Sequence, residues 1–227
     1  MTVYNLYLES GPLKKRTLVH VPQLLGLNYF GATTDTALEK SRAEIQFYRE
    51  WLRARGEKIE NDAIEYTVAE HFTRGEFMGH GSPSILFATD HEPLTPKKLE
   101  THLRHLKWQR EDLMHLVGDL SPKELARKPA RGRSIQEILE HVQEAERAYP
   151  ATIKPMPRLP TTRDIFEKLE FTRRDVIEFF SALSAAERRA LIVKGNYQRT
   201  AMRALRRVME HEWEHVQEIR ARLEQGE

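Results

Sequence analysis

Two histidines near the C-terminus, His211 and His215, have a spacing that could serve metal chemistry. Four residues make slightly more than one helical turn, so on a helix both imidazoles project from the same side. That spacing allows two ring nitrogens to reach one ion at about 2.1 Å. On helical wheels, this pair and His141 of an earlier helix each lie at the edge of an apolar stripe. If the two helices are neighbours, three imidazoles can converge on one divalent metal.

The segment from His211 to His215 also reads H-E-x-x-H, the zincin peptidase motif, in which the glutamate activates a zinc-bound water. Zincins usually take a third ligand from a downstream segment. The residues after His215 contain no histidine, and Ile219 and Leu223 continue the helical pattern. The sequence therefore favours a site shared between two helices over a peptidase site.

Two glutamates lie on the apolar sides of the same two predicted helices. Glu212 is nearer the middle of its stripe than either neighbouring histidine, and Glu146 is placed similarly on the helix of His141. A carboxylate that faces a hydrophobic core costs free energy unless it is paired or linked to a metal. Glu146 and Glu212 are therefore candidate catalytic proton carriers or hydrogen-bond partners of the ligands. The alternative is that each meets an arginine or reaches past the edge of the core.

Four long predicted helices must position these side chains. They run from Thr95 to about Leu120, from Ser134 to just before Pro150, from Thr161 or Thr162 to about Leu183, and from Thr200 nearly to the end. A long proline-rich connection, Pro150–Pro160, separates the second helix from the third. This pattern predicts an all-α up-down four-helix bundle over residues 94–227, with or without a crossover.

Two of these helices carry motifs that resemble those of the DinB/YfiT-like superfamily of metal-binding four-helix bundles. The segment Arg133–Val142 is similar to the family's first motif, "W-S-hydrophobic-x-E-hydrophobic-hydrophobic-x-H", with arginine in place of the common tryptophan. The segment Arg207–Ile219 contains the second, "H-x-x-[HE]-H", with Glu214 in place of the frequent second histidine. The resemblance spans about residues 95–225. It implies that the three metal ligands are His141, His211 and His215.

The first 90 residues have a different character. β-Prone runs separated by turn signals predict strands at Val3–Leu8, Thr17–Val21, Leu27–Phe30, Ala63–Val68 and Ser84–Phe87. Thr33 or Thr34 caps one predicted helix, which ends at Gly56. Residues 1–90 are therefore predicted to form an α+β domain, a small β-sheet with one packed helix.

Part of this segment resembles the HicB-like antitoxin domain. The residues that carry the resemblance are Val19–Gly26, Gly31–Leu38 and the helix that follows them, and it covers about residues 1–70. It implies contact with a partner protein or RNA. Antitoxins of that family normally add a small DNA-binding element, but the bundle region has no helix-turn-helix pattern. We therefore expect no DNA partner.

The composition excludes several other classes of protein. With 36 basic and 34 acidic residues, the net charge of +2 is too small to indicate a nucleic-acid partner. The absence of cysteine excludes disulfides, thiolate ligands and cysteine nucleophiles. No stretch of about 18 apolar residues and no secretory signal pattern occurs. We expect a cytoplasmic protein without a membrane partner, and the sequence is compatible with a homodimer.

Two functional hypotheses follow. In the first, the chain is a metal-dependent hydrolase or small-thiol transferase that acts on a small molecule, since three histidines leave coordination positions open. Imidazole ligands suit zinc, nickel and iron, and manganese less tightly. In the second, the HicB-like domain contacts a protein or RNA partner, and the bundle is a metal-stabilised scaffold. A metal-free structural bundle is a third reading, which metal analysis would decide.

Overall fold

The computed structural model describes residues 1–225, apart from the side chain of Lys14, and these residues form two compact units. Unit 1 comprises Met1–Asp90 together with Val193–Gln198, and unit 2 comprises His91–Ile192 together with the chain from Arg199 onward. Unit 1 contains a small mixed sheet and one long helix, whereas unit 2 is helical. The predicted fold class, an α+β segment followed by a helical bundle, is confirmed.

Unit 1 is built on a four-stranded sheet. Its elements are β1 (Thr2–Ser10), β2 (Lys15–His20), β3 (Asn28–Thr33), α1 (Thr34–Ala54) and β4 (Ile64–Phe72). The strand order is β3-β2-β1-β4, in which β2 runs antiparallel to both β1 and β3, and β4 runs parallel to β1. Helix α1 carries the chain from one edge of this sheet to the other.

Helix α1 begins where the sequence predicted. The Thr33 side chain accepts a hydrogen bond from the Thr36 amide, and the Thr36 side chain accepts one from the Thr33 amide. The helix then buries an apolar stripe at helical spacing against the sheet. Gly31 of β3 lies so close to this helix that a Cβ atom there would be 2.4 Å from the Ala37 nitrogen. Only glycine permits that approach of backbone to backbone.

The strand predicted at Ser84–Phe87 is wrong. The segment joins no sheet within the described residues. Ile85 and Phe87 are instead buried in a small cluster with Tyr7 and Met78. The Phe87 amide donates to the Asp90 carboxylate at 3.0 Å rather than to a neighbouring strand.

Unit 2 contains the four long helices and one short one. They are α2 (Pro96–Val117), α3 (Pro122–Leu125), α4 (Ile135–Ala151), α5 (Ile165–Ser181) and α6 (Ala201–Glu224). The predicted N-caps Thr95, Ser134 and Thr200 each accept a hydrogen bond from the third following amide. Helix α4 packs against α5 and α6, and α2 packs against α6.

Two local predictions in this region need correction, and one element was not predicted. Asp164, not Thr161 or Thr162, caps α5, because its carboxylate accepts from the amides of Phe166 and Glu167. Helix α4 continues through Pro150, which occupies its last turn. A hairpin of β5 (Ile192–Lys194) and β6 (Tyr197–Arg199) precedes α6 and was not predicted. Its turn contains Gly195 at φ 59°, and the Gly-Asn pair at this turn was the available signal.

One buried cluster of unit 2 draws on α2, α3, α4, α5 and α6. Its buried members are Leu113, Val117, Leu125, Ile135, Ile138, Leu139, Val142, Ile165, Leu169, Val216 and Ile219. All of them lie within unit 2. Among the described residues, no helix is both long and apolar enough to cross a membrane.

We propose two domains, at residues 1–90 and 94–227, and predict that a fragment beginning at Pro93 folds alone. The buried cluster just described lies entirely within that fragment, so its hydrophobic burial does not require unit 1. Circular dichroism should show a strongly helical spectrum with a cooperative thermal transition. A fragment that melts without cooperativity would place the domain boundary elsewhere.

Candidate metal centre

The histidine trio consists of His141 on α4 and of His211 and His215 on α6. The ring centroid of His141 lies 4.7 Å from that of His211 and 5.1 Å from that of His215. The ring centroids of His211 and His215 are 4.5 Å apart. One nitrogen from each ring can be chosen so that all three lie within 4.8 Å of one another. The fold therefore brings together the three imidazoles that the sequence pattern selected.

The apolar stripes of α4 and α6 explain this convergence. Val142 follows His141 in the chain, Val216 follows His215, and both valines are about 1% exposed in the same buried cluster. Burial of each such side chain contributes about 1.5–3 kcal/mol. Because these contacts fix which side of each helix faces the other, the histidines at the edges of the stripes meet.

The closest pair of nitrogens has the spacing of two ligands on one ion. His141 Nε2 lies 3.0 Å from His211 Nε2. Two imidazoles bound at about 2.1 Å place their nitrogens roughly 3.0 Å apart at a right angle and roughly 3.4 Å apart at a tetrahedral angle. The donor set, three imidazoles with this nitrogen separation, fits a divalent transition metal.

The surroundings of His141 and His211 favour the neutral form of imidazole that a metal requires. Burial, followed by the nearby His215 and Arg207, holds the pKa of His211 well below its usual 6.5. Burial and then the charge of Arg133 lower the pKa of His141. A lower pKa means that protons compete less with a metal for the ring nitrogen near neutral pH.

Glu218 orients His215 and was missed by sequence reasoning. Its Oε2 atom accepts a hydrogen bond from His215 Nδ1 at 2.7 Å, which leaves His215 Nε2 as the available ligand atom. Burial alone would raise the pKa of Glu218, but the hydrogen bond with His215 and the charges of Arg133 and Arg222 lower it. The signal was the spacing of three residues from His215, which puts both side chains on one side of the helix.

One side of the histidine trio is more exposed to solvent than the others. His211 and His215 are 8% and 4% exposed, whereas His141 is only half-buried. Solvent or a small molecule can therefore approach from the side of His141. This arrangement of three protein ligands with an accessible side is typical of catalytic rather than closed structural metal sites.

Glu146 and Glu212, the two candidate catalytic carboxylates, both meet arginines. Together with Arg110 on α2 and Arg173 on α5, they form a group that we call the charged quartet, with one residue from each long helix of unit 2. Arg110 donates to Glu146 at 2.5 Å and to Glu212 at 2.7 Å. Arg173 donates to Glu146 at 2.5 Å and also to Glu212. Of the alternatives left open by the sequence, the structure shows pairing with arginine.

The charged quartet is deeply buried. The side chains of Glu146 and Glu212 are 3% and 2% exposed, and those of Arg110 and Arg173 are 10% and 7% exposed. Burial would raise the pKa of Glu212, but the charges and hydrogen bonds of the two arginines outweigh burial and lower it. Glu212 is therefore ionised, and its two oxygens already serve as acceptors. A role for either glutamate as a proton carrier stays a prediction.

A scan against models of known protein families matches residues 105–219 to the model described as the DinB superfamily. The matched range contains the whole histidine trio, Glu218 and the charged quartet. No curated protein and no solved structure matches the chain.

The pairing in the charged quartet predicts strong energetic coupling. Glu146→Gln leaves two buried arginines with one carboxylate and should lower the free energy of unfolding by about 3–5 kcal/mol. The double variant Arg110→Met, Glu146→Leu leaves the neutral Arg173–Glu212 pair, so it should cost less than the sum of its single variants. Urea denaturation in a double-mutant cycle measures the difference.

The exposed pair of Glu92 and Lys98 supplies the control for that cycle, because its side chains are 52% and 41% exposed. Its coupling energy should stay below about 1 kcal/mol. Additive losses for Arg110 and Glu146 would contradict the view that the charged quartet acts as one unit.

The geometry of the histidine trio predicts which residues hold the metal. His141→Ala should lose most of the bound metal, because two imidazoles on one helix make a weak chelate and the third comes from α4. Glu212→Gln should keep the metal, because its carboxylate is engaged with Arg110 and Arg173. Elemental analysis of protein purified without a histidine tag measures both.

His115→Ala is the matched control, since His115 is an exposed histidine of α2 and should be replaceable without loss of metal. A full equivalent of metal in His141→Ala would show that the ligand set is wrong. It would revive the reading in which the H-E-x-x-H segment binds zinc alone.

Proposed function

Because the chain belongs to the DinB superfamily, we propose that residues 94–227 form a metal-dependent enzyme domain that acts as a hydrolase or small-thiol transferase. The observation that carries the proposal is the histidine trio, in which two helices supply three clustered imidazoles with one accessible side. Bound at His141, His211 and His215, a divalent metal would lower the pKa of a water or thiol. Zinc, nickel, iron and manganese all fit imidazole ligands.

The chain's own residues have distinct tasks in this proposal. His141, His211 and His215 hold the metal, and Glu218 fixes the ring of His215 by accepting its Nδ1 proton. Burial lowers the pKa of His141 and of His211, which favours their neutral forms. Glu146 and Glu212 remain candidates for proton transfer, although each would first have to release an arginine.

We propose further that residues 1–90 form a HicB-like domain that binds a protein or RNA partner. The order of strands and helix in unit 1, three strands, a packed helix and a returning strand, supports this reading. The neighbouring gene offers a simple test. A gene for a small toxin beside this one would favour the binding module, and its absence would favour the enzyme.

The enzyme proposal predicts a reaction that depends on the metal. Tag-free protein, stripped and reloaded separately with zinc, nickel, iron(II) or manganese, should turn over one class of substrate. The panel should contain esters, amides, phosphoesters, and a small thiol with an electrophile. Analysis of the product for added water or added thiol distinguishes the hydrolase from the transferase.

The variant His211→Ala, treated identically, is the control and should be inactive. If the wild type holds one equivalent of metal but reacts no faster than this variant with every substrate, the enzyme proposal fails. The bundle would then be a metal-stabilised scaffold.

A further inference from the structure

Arg133 places a guanidinium group beside the histidine trio. Its Nη2 atom lies 3.8 Å from Glu218 Oε2, the same oxygen that accepts the hydrogen bond from His215. Its charge, after burial, lowers the pKa of His141 and contributes to the lowered pKa of His211. Arg133 therefore lies beside the carboxylate that orients His215, and its charge acts on His141 and His211.

Arg133 stands on the accessible side of the trio. Its side chain is 40% exposed, and the ring of His141, on which its charge acts most strongly after burial, is the half-buried one. The two α6 histidines, by contrast, are buried. The Arg133 guanidinium and the His141 ring are thus the more exposed groups of this region.

The backbone of Arg133 is held firmly, but its guanidinium is not. Arg222 donates to the Arg133 carbonyl oxygen, and the next residue, Ser134, caps α4. The distance of 3.8 Å to Glu218 exceeds hydrogen-bond reach, which ends at about 3.2 Å. Within residues 1–225, the guanidinium of Arg133 makes no hydrogen bond. The side chain thus presents its full set of N–H donors from a fixed base.

Both oxygens of Glu218 already accept a hydrogen bond from a partner other than Arg133. One of its oxygens accepts from His215 at 2.7 Å and the other from Arg222 at 2.9 Å. A guanidinium beside a divalent metal would add to the positive potential there, so an anion within reach of both would be attracted by both. The planar fork of arginine matches the oxygens of a carboxylate or phosphate, which it can bind with two hydrogen bonds.

We propose that Arg133 is a specificity residue that binds an anionic oxygen group, a carboxylate or phosphate, on the small molecule that reaches the metal. This inference rests on the proposed function, because it assigns the chemical class of the substrate of that same site. The substrate or thiol co-substrate therefore carries an anionic group within reach of both the metal and Arg133.

The test measures binding rather than turnover. Zinc-loaded, tag-free protein is titrated calorimetrically with inorganic phosphate, with succinate and with imidazole, a neutral metal ligand. Arg133→Gln should weaken the binding of phosphate or succinate at least about tenfold, since it removes a charge-assisted hydrogen-bonding group. It should leave the affinity for imidazole unchanged. Arg133→Lys should recover part of the loss, because it restores the charge without the fork.

Arg131→Gln is the matched control, because Arg131 is an exposed arginine two residues away and its loss changes the net charge equally. It should bind all three probes as the wild type does. Equal weakening in both glutamine variants, or no weakening in Arg133→Gln, overturns the inference while the metal stoichiometry still supports the metal site. A wild type that takes up no zinc overturns the proposed function, and the assignment of Arg133 falls with it.

Discussion

The charged quartet is the interaction on which the rest of the bundle depends. Burying four charges costs far more free energy than it returns unless every donor and acceptor finds a partner. Here each carboxylate accepts from both arginines, and each arginine also donates to a backbone carbonyl, that of Leu169 or Leu106. Hydrophobic contacts tolerate small shifts and repacking. The charged quartet joins one residue from each of four helices by directional hydrogen bonds, which do not tolerate such shifts. Moving any of these helices by one residue would leave a buried charge without its partner.

That constraint also sets the histidine trio. Glu212 directly follows His211 on α6, and Glu146 lies little more than one turn after His141 on α4. The register that satisfies the charged quartet therefore fixes the height and rotation at which these imidazoles meet. The metal site then needs little rearrangement to bind an ion, and the depressed pKa values of His141 and His211 favour metal over protons. Stability of the bundle and preorganisation of the site come from the same helix register.

Local signals in the sequence predicted most of the elements, whereas pairing between distant residues could not be read from it. The caps at Thr33, Thr95, Ser134 and Thr200 depend on residues three positions away, so their chemistry is visible in a short window. Helical spacing indicated that His211 and His215 project from one side of their helix, and the family resemblance added His141 as the third ligand. Arg110 and Arg173 gave no such signal, since arginines in the middle of a helix are usually exposed. The nearest carboxylate partner in the chain is Glu146 for both, 36 positions from Arg110 and 27 positions from Arg173. The hairpin before α6 was not predicted for a different reason: its strands are only three residues long.

In the segment from His211 to His215, the residues packed around the H-E-x-x-H motif determine what its glutamate can do. In a zincin, the glutamate of H-E-x-x-H must be able to take a proton from metal-bound water. Here Glu212 turns into the core and is ionised against Arg110 and Arg173, so its lone pairs are committed to guanidinium groups. The carboxylate that accepts a hydrogen bond from a histidine of the trio is Glu218 instead, three residues beyond His215 and outside the motif. Two arginines from other helices thus convert the catalytic position of a familiar motif into part of the core, while the ligand spacing of the histidines survives.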